Sequence, residues 1–223
     1  MVTKLTMLDH ALRYAARGLH VFPLHWPRDG VCSCGKPDCG RRSAKHPLTP
    51  NGLRDATINT DRIRDWWTRW PDANIGIVTG QVSGIVVVDV DPDKGGLESW
   101  AELQDIHGRI DTLTSLTGGG GMHLWFQAPA DALKSTAGTI APGIDTRAEG
   151  GYVVAPPSLH ISGQRYAWEG DETLPEPQTV PRWLLALIPK HGDRSINHNR
   201  QAAEGPEGAV SEGRRNNTLT SLA

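Results

Sequence analysis

The sequence lacks several features that define common classes of protein. None of its apolar runs approaches the length of a membrane span, and the N-terminus has no apolar segment typical of a signal peptide. The formal net charge is −2, which disfavours attraction of nucleic acid by the surface as a whole but leaves a local basic groove open. Only 3 cysteines occur, all between positions 32 and 39, and this clustering does not suit a disulfide framework. We therefore expect a cytoplasmic protein whose cysteines bind a metal.

The remaining composition predicts one folded domain followed by a polar tail. The 223 residues allow one generous domain or two small ones that share a core. We assign residues 1–190 to the folded domain, 191–213 to a flexible linker and 214–223 to the start of a truncated C-terminal helical region. Helices are predicted at Leu5–Ala15, Thr60–Trp70, Leu97–His107 and Trp183–Ile188, and strands at Leu19–Leu24, Asn74–Thr79, Ile85–Asp91, Leu113–Leu116, Met122–Gln127 and Tyr152–Ala155. This mixture indicates an α/β (α+β) fold.

The most informative segment is Gly84–Pro92, in which a run of β-branched residues predicts a strand buried on both faces. Asp89 and Asp91 lie two positions apart at its end and therefore point to the same side. Two close carboxylates repel each other unless they share a proton or a cation, and a hard ion such as Mg²⁺ or Mn²⁺ suits them. Ordinary turn chemistry explains residues 92–96, where Lys94 is expected to be solvated, but it does not explain two acids inside the strand end.

A glycine-rich turn precedes the strand that begins near His123. It consists of Thr117, Gly118, Gly119 and Gly120. Such a turn lets the backbone approach a ligand and offers N–H groups to an anion, so a phosphate held there would lie beside the imidazole. The turn is neither a Walker loop nor a dinucleotide fingerprint, because no Gly-Lys-Ser/Thr follows and a strand comes next. A flexible hairpin with a partly buried histidine is the alternative.

Asp145 and Arg147 form a third candidate group on a segment expected to be extended, where their side chains share a direction. Taken alone, they are better interpreted as a salt-bridged pair in a loop than as part of a metal site. With the two acids and the glycine turn, however, they supply the parts needed for nucleotidyl transfer. In that chemistry metal ions clamp the attacking and leaving oxygens, while cations and N–H groups hold a triphosphate.

The loop at residues 27–49 carries a Cys-x-Cys-x₄-Cys-x₆-His pattern. Three thiolates and one imidazole are enough for a closed tetrahedral zinc site. Free thiols are the alternative, but a long loop with little apolar content has no other means of staying ordered. The predicted ligands are Cys32, Cys34, Cys39 and His46, with His25 as the rival fourth ligand.

Taken together, these motifs resemble the prim-pol family, the bifunctional DNA primase/polymerase N-terminal domain of phage and plasmid replication proteins, within the archaeo-eukaryotic primase superfamily. The resemblance covers residues 8–188. Its motifs occur in order as Gly18–Pro23, Lys45-His46-Pro47, Ala56-Thr57, Trp66-Trp67, Ala73–Gly80, Asp89-Val90-Asp91, the glycine turn with His123, and Asp145–Ser158.

The resemblance implies an archaeo-eukaryotic primase fold, in which an RNA-recognition-like catalytic sheet joins an N-terminal α/β module. It implies that Asp89, Asp91 and Asp145 bind Mg²⁺ or Mn²⁺ and that His123 contacts the phosphates of the incoming nucleotide. Lys45 and Arg147 would be further nucleotide or template contacts. The zinc loop occurs in only some members of the family, so the zinc prediction rests on the ligand spacing.

The implied function is a template-dependent DNA primase/polymerase that makes and extends primers on single-stranded DNA from deoxynucleotides, ribonucleotides or both. It would act in the cytoplasm of a bacterial host cell, fused to a C-terminal helical or helicase region. Two other classes stay open at this point. One is a non-catalytic DNA-binding module for replication initiation, and the other is a metal-dependent nuclease that uses the same carboxylates with water as the nucleophile.

Overall fold

The computed structural model describes residues 5–36, 39–170 and 175–191. Nearly all of the predicted linker (191–213) and the whole predicted helical region (214–223) lie outside the described residues. The described part is a mixed α/β structure with mostly antiparallel sheets, which confirms the predicted fold class. Within these ranges, none of the helices is long and apolar enough to cross a membrane.

The described part of the chain contains four α-helices and twelve strands. In chain order they are α1 (Met7–Ala16), β1 (Val21–Leu24), β2 (Pro27–Arg28), β3 (Val31–Cys32), α2 (Thr60–Arg69), β4 (Asn74–Val78), β5 (Ile85–Val90), α3 (Gly96–His107), β6 (Thr114–Leu116), β7 (Met122–Gln127), β8 (Thr136–Ala141), β9 (Ile144–Arg147), β10 (Tyr152–Ala155), β11 (Ala167–Trp168), β12 (Gln178–Thr179) and α4 (Arg182–Leu187). Side chains define the starts of the first two helices. Thr6 and Asp9 form a capping box at α1, and Asn59 caps α2.

An N-terminal sheet is formed by three antiparallel strands in the order β1-β4-β10. Helices α1 and α2 pack against it and bury Ile63, Trp66 and Trp67 in its core. The buried strand β4 lies in the middle of this sheet. It pairs with β1, which precedes it in the sequence, and with β10, which follows much later. Because β5 to β9 of the second sheet precede β10 in the chain and β11 and β12 follow it, the two sheets are interleaved in sequence.

The second sheet, which we call the central sheet, has the strand order β11-β6-β7-β5-β9-β8, with β12 parallel to β7. All its other pairings are antiparallel. Helix α3 packs on β5, β8 and β9, and Leu184 of α4 is buried in the same core. The sheet thus has one face covered by helices, and its other face is turned towards the N-terminal sheet.

Strand β5 lies between the two cores of the described structure. Val87 belongs to the core of the N-terminal sheet, whereas Val86 and Val88 belong to the core under α3 and α4. This alternation confirms the prediction of a strand buried on both faces. By the same alternation, Asp89 lies on the face turned towards the N-terminal sheet.

The helices and most strands agree with the sequence predictions to within a few residues, but the sequence missed several strands. The predicted strand at residues 19–24 begins only at Val21. The segment with Asp145 and Arg147, expected to be extended or a loop, is the inner strand β9, and β8 was not predicted. Both segments contain small, polar or charged residues that carry little strand signal, so their pairing in the sheet determines their conformation.

Candidate functional site

Strand register places three of the predicted site residues in one row across the central sheet. Asp89 of β5 is paired with His123 of β7 on one side and with Asp145 of β9 on the other. Residues paired in an antiparallel sheet share a face, so all three side chains emerge together. Asp89 is partly exposed, whereas His123 and Asp145 are buried. The row joins sequence positions that are far apart and places Asp89 between an imidazole and a second acid.

Asp91 follows directly after β5, and the backbone around it is fixed by two glycines. Its N–H donates to the carbonyl of Gly143 at 2.8 Å, and its carbonyl accepts from the N–H of Gly96 at 3.0 Å. A Cβ atom at Gly96 would lie 2.5 Å from the carbonyl oxygen of Gly143, so neither the turn nor this contact tolerates a side chain there. The close approach of these two backbone segments holds Asp91 at the edge of the row.

Two cations balance the charges of the carboxylate cluster, which we define as Asp89, Asp91 and Asp145. Arg147 Nη2 lies 3.1 Å from Asp89 Oδ2 and 3.1 Å from Asp145 Oδ2. Lys94 Nζ lies 2.7 Å from Asp91 Oδ2 and 3.8 Å from Asp145 Oδ2. Lys94 is exposed, as expected of a solvated residue, but its ammonium is also paired with the carboxylate cluster. A 3-10 helix at Pro92–Lys94 turns its side chain back towards Asp91.

The ion pair between Asp91 and Lys94 shifts the pKa of both partners. Partial burial would raise the pKa of Asp91, but the hydrogen bond and charge of Lys94 outweigh it, so this pKa lies below its usual value. The same hydrogen bond raises the pKa of Lys94. Among the described residues, the carboxylate cluster is not a group whose ligand atoms all lie within 4.8 Å of one another. The cations lie between the carboxylates in this structure.

His123 is 6% exposed and faces the carboxylate cluster. Its Nε2 lies 3.6 Å from Asp89 Oδ1, and its ring centroid lies 6.0 Å from that of Tyr166. Burial holds the pKa of His123 below its usual value, which favours the neutral imidazole. Its Nδ1 is buried and has no hydrogen-bond partner among the described residues. A buried polar atom without a partner is uncommon and marks a group that a ligand or water can satisfy.

The glycine turn lies between β6 and β7 and uses only part of its hydrogen-bonding capacity. The N–H of Gly120 donates to Thr117 O at 3.1 Å, and the N–H of Gly121 donates to Thr117 Oγ1 at 3.0 Å. The N–H groups of Gly118 and Gly119 have no such partner among the residues described. The predicted anion-binding turn therefore offers two free backbone donors among the described residues, those of Gly118 and Gly119. Thr117 and Gly120 take part in the hydrogen bonds within the turn.

Lys45 comes from the N-terminal part of the chain and reaches the same face. Its carbonyl accepts from Tyr152 Oη at 3.0 Å. Burial lowers the pKa of its ammonium, while the negative charges of Asp89 and Asp91 oppose that shift. Lys45 therefore adds a third cation to the surroundings of the carboxylate cluster, and it lies far from Lys94 in the sequence.

The predicted zinc ligands assemble into one group, which we call the cysteine cluster (Cys32, Cys34, Cys39 and His46). Their four ligand atoms all lie within 4.8 Å of one another. The Sγ atoms of Cys34 and Cys39 are 3.0 Å apart, and Cys32 Sγ is 3.3 Å from His46 Nε2. Backbone N–H groups also point at sulfur, from Ala44 to Cys32 at 3.3 Å and from Lys36 to Cys34 at 3.4 Å. This donor set could hold a metal, and its chemistry fits zinc.

The rival ligand His25 is placed beside the cysteine cluster but is not a member of it. Its Nδ1 lies 2.8 Å from Ser33 Oγ, and its ring centroid lies 4.2 Å from that of His46. Burial is the main reason that the pKa of His25 falls to about 4, so the ring is neutral at neutral pH. The structure thus favours His46 as the fourth ligand, with His25 packed against it.

The family comparison agrees with this arrangement. The family model of the bifunctional DNA primase/polymerase N-terminal domain matches residues 11–183, which include the carboxylate cluster, the glycine turn and the cysteine cluster. No curated protein matches the sequence. Since the matched segment covers most of the 223 residues, the chain belongs to the Prim-Pol family.

Proposed function

We propose that the chain is a template-dependent DNA primase/polymerase that makes and extends primers on single-stranded DNA, as part of a larger phage or plasmid replication protein. Membership of the Prim-Pol family supports a primase/polymerase type of replication function in general. The finer proposal is carried by one observation, the row of Asp89, His123 and Asp145 across three neighbouring strands. Asp91 follows the end of β5 and the glycine turn precedes the start of β7, so both lie at the same end of these two strands.

The carboxylate cluster would hold catalytic Mg²⁺ or Mn²⁺. Carboxylate oxygens are the hard ligands that these ions prefer, and Asp89 and Asp145 already emerge side by side on one face. Lys94 and Arg147 lie between the acids and neutralise part of their charge, so the cluster already stabilises cations. When bound, the ions would stabilise charge on the attacking and leaving oxygens.

The remaining residues would bind and orient the substrates. The free N–H groups of Gly118 and Gly119 would hold phosphate oxygens of the nucleotide, with His123 beside them. Lys45 and Arg147 would neutralise further negative charge of the triphosphate or of the template. The 3′-hydroxyl of the primer, or of an initiating nucleotide, would attack the α-phosphorus, and pyrophosphate would leave.

The cysteine cluster would bind one structural zinc ion. With three thiolates and one imidazole, the tetrahedral shell is complete and has no open position for water or substrate. Its role in the proposed enzyme is therefore to order the loop at residues 27–49 rather than to take part in the chemistry.

A primer-extension assay tests the proposed function. The protein is incubated with a primed and an unprimed single-stranded template, nucleotides and Mn²⁺ or Mg²⁺. We expect the wild-type protein to lengthen primers, and we expect the variant with Asp89→Ala and Asp91→Ala to lose this activity while its fold is kept. The double variant removes two of the three proposed metal ligands.

Asp105→Ala is the matched control, because Asp105 is an exposed aspartate of α3 outside the cluster. It should extend primers at the wild-type rate. Extension by the double variant at a near wild-type rate would show that the site assignment is wrong. Shortened strands would instead indicate the nuclease, and unchanged strands together with DNA binding would indicate the non-catalytic module.

A further inference from the structure

The loop after β10 brings a second imidazole to the glycine turn. His160 begins a tight turn in which its carbonyl accepts from the N–H of Gly163 at 2.9 Å and its N–H donates to Gln164 O at 2.8 Å. The ring lies over the glycine turn, with Cε1 and Nε2 only 3.8 and 3.9 Å from the position that a Cβ atom would take at Gly119. His160 therefore lies beside the proposed anion-binding turn, although it is distant from it in sequence.

Gly118 makes this approach possible. A Cβ atom at Gly118 would collide with the Cβ of His160 and would lie 2.8 Å from the carbonyl oxygen of Gln164. The two loops are also joined by a hydrogen bond, since Ser162 Oγ donates to Gly118 O at 2.7 Å. The contact is thus a specific packing of one loop on the other, and it depends on the absence of a side chain at this glycine.

Ser162 holds one ring nitrogen of His160 and leaves the other. Nδ1 accepts from the N–H of Ser162 at 3.2 Å and lies 2.9 Å from Ser162 Oγ, so the neutral ring carries its proton on Nε2. Nε2 lies 3.9 Å from the position that a Cβ atom would take at Gly119, and the carbonyl of Gly118 also acts on the ring as a hydrogen-bond acceptor. The contacts through Nδ1 fix the ring and leave Nε2 beside Gly119, whose N–H has no partner among the described residues.

The surroundings of His160 belong to the proposed nucleotide site. Burial and the charge of Lys45 lower the pKa of His160, while the Gly118 carbonyl and Asp93 oppose that shift, so the neutral ring is favoured. The ring centroid of Tyr166 lies 6.1 Å from that of His160 and 6.0 Å from that of His123. His160 thus lies against the glycine turn, where two backbone N–H groups have no partner among the described residues, and Lys45 is close enough for its charge to act on the same ring.

We propose that His160 binds the triphosphate of the incoming nucleotide through Nε2, together with the N–H groups of Gly118 and Gly119. Ser162 is then a positioning residue, because it fixes the ring through Nδ1 and fixes the turn through Gly118 O. This inference rests on the proposed nucleotidyl-transfer function, since it names a further residue that binds the nucleotide of that reaction.

Direct binding measurements test this proposal without the chemical step. Calorimetry with a deoxynucleoside triphosphate and Mg²⁺ gives the nucleotide affinity, and fluorescence anisotropy with labelled single-stranded DNA gives the template affinity. In His160→Asn, an amide can replace Nδ1 near Ser162 but nothing replaces Nε2. We expect about a ten- to hundredfold loss of nucleotide affinity and an unchanged DNA affinity, the size of one charge-assisted hydrogen bond.

Three further variants separate binding from structure. His160→Gln, whose longer side chain can place an amide near the Nε2 position, should recover part of the lost affinity. Ser162→Ala should weaken nucleotide binding less than His160→Asn does. His107→Asn removes an imidazole that stacks on Trp183 at 4.3 Å, away from the turn, and should change neither affinity.

Two results would overturn the role of His160 alone. The first is an unchanged nucleotide affinity in His160→Asn, and the second is a loss of DNA affinity as large as the loss of nucleotide affinity, which would assign the contact to the template phosphates. A wild-type protein that binds DNA but no nucleotide would instead overturn the proposed function, and the inference with it.

Discussion

Single side chains in the carboxylate cluster show how three acids coexist in one place. Lys94 contributes to this balance, because its ammonium contacts Asp91 at 2.7 Å and lies 3.8 Å from Asp145. A metal ion that binds Asp91 must compete with this ammonium for the same carboxylate oxygen. We therefore expect Lys94 to lower the affinity of the free protein for divalent ions.

Replacing Lys94 with Met should raise the affinity for Mn²⁺. The ion pair is partly exposed, and such pairs contribute up to about 1 kcal/mol, so we expect about a two- to fivefold tighter binding. Titration of the nucleotide-free protein with Mn²⁺, followed by electron paramagnetic resonance, measures the change.

Lys190→Met is the matched control for this prediction. Lys190 pairs with Asp131 at 2.6 Å on the surface, so its removal changes the net charge equally but leaves the carboxylate cluster intact. Equal Mn²⁺ affinities of the two variants would mean that Lys94 acts only through the net charge of the protein.

At the residue scale, the sequence predicted the acids better than their partners. The period of two places Asp89 and Asp91 on one side of a strand without further information. The alignment of Asp145 with Asp89 depends on the register between β5 and β9, which no local pattern specifies. Lys94 lies two residues after a proline and resembles a solvated turn residue, and only the path of the 3-10 helix brings it back to Asp91.

Among the elements, the loop at residues 27–49 connects the two candidate metal sites. His46 is a member of the cysteine cluster, and the preceding residue, Lys45, extends towards the carboxylate cluster. The neighbouring backbone is tied to the N-terminal sheet, since Asn74 Nδ2 donates to Ala44 O at 3.0 Å and Tyr152 Oη donates to Lys45 O. Because Lys45 adjoins His46 in the chain, we expect order in the cysteine cluster to influence the position of Lys45.

Removal of one zinc ligand should weaken nucleotide binding through Lys45. We expect the wild-type protein to contain about one zinc ion per chain and Cys34→Ser to contain much less. Cys34→Ser and Lys45→Met should each lower the nucleotide affinity by about tenfold, the size of one charged contact. The double variant should lose little more than either single variant, because both changes remove the same contact. Elemental analysis and calorimetry measure the two effects.

Val31→Ser serves as the control within the loop. Val31 is 63% exposed on β3 and is not a member of the cysteine cluster, so its zinc content and nucleotide affinity should match the wild type. Fully additive losses in the double variant of Cys34 and Lys45 would show that the cysteine cluster acts on nucleotide binding by another route. A folded wild-type protein without zinc would contradict the zinc proposal itself.

The elements that the sequence predicted well are those with their own periodic or apolar signal, such as α2, β5 and β7. Strand β9 has only four residues, two of them charged, and it becomes a strand because β5 and β8 lie on either side of it. The cysteine cluster was predictable for a different reason. Its ligands are close in sequence, so spacing alone restricts which residues can meet.

On the scale of the whole molecule, β5 makes the two cores depend on each other. Val87 and Val88 are both fully buried, but they face different cores. Val87→Ala and Val88→Ala should each lower the free energy of unfolding by about 1–3 kcal/mol, the value of a buried valine side chain. Both variants should still unfold in one transition, because both cores pack against β5 and lose that surface together when β5 unfolds.

Urea unfolding followed by tryptophan fluorescence and by circular dichroism tests this expectation. The two probes should give coincident curves for the wild type and for both variants. Val82→Ala is a suitable control, because Val82 is 51% exposed in the turn before β5 and should change the stability little. Two separate transitions in Val87→Ala would mean that the sheets unfold independently.

The interleaved order of the two sheets also has a consequence for synthesis of the chain. Strand β4 pairs with β1 early, but its other edge waits for β10, which begins only at Tyr152. At about 5–20 residues per second, the ribosome needs roughly 4–15 s to make the intervening segment. During that time an apolar strand, buried along its whole length in the finished protein, presents an open edge to other chains. Slow translation of residues 79–151 therefore prolongs the stage at which the nascent protein is most exposed to aggregation.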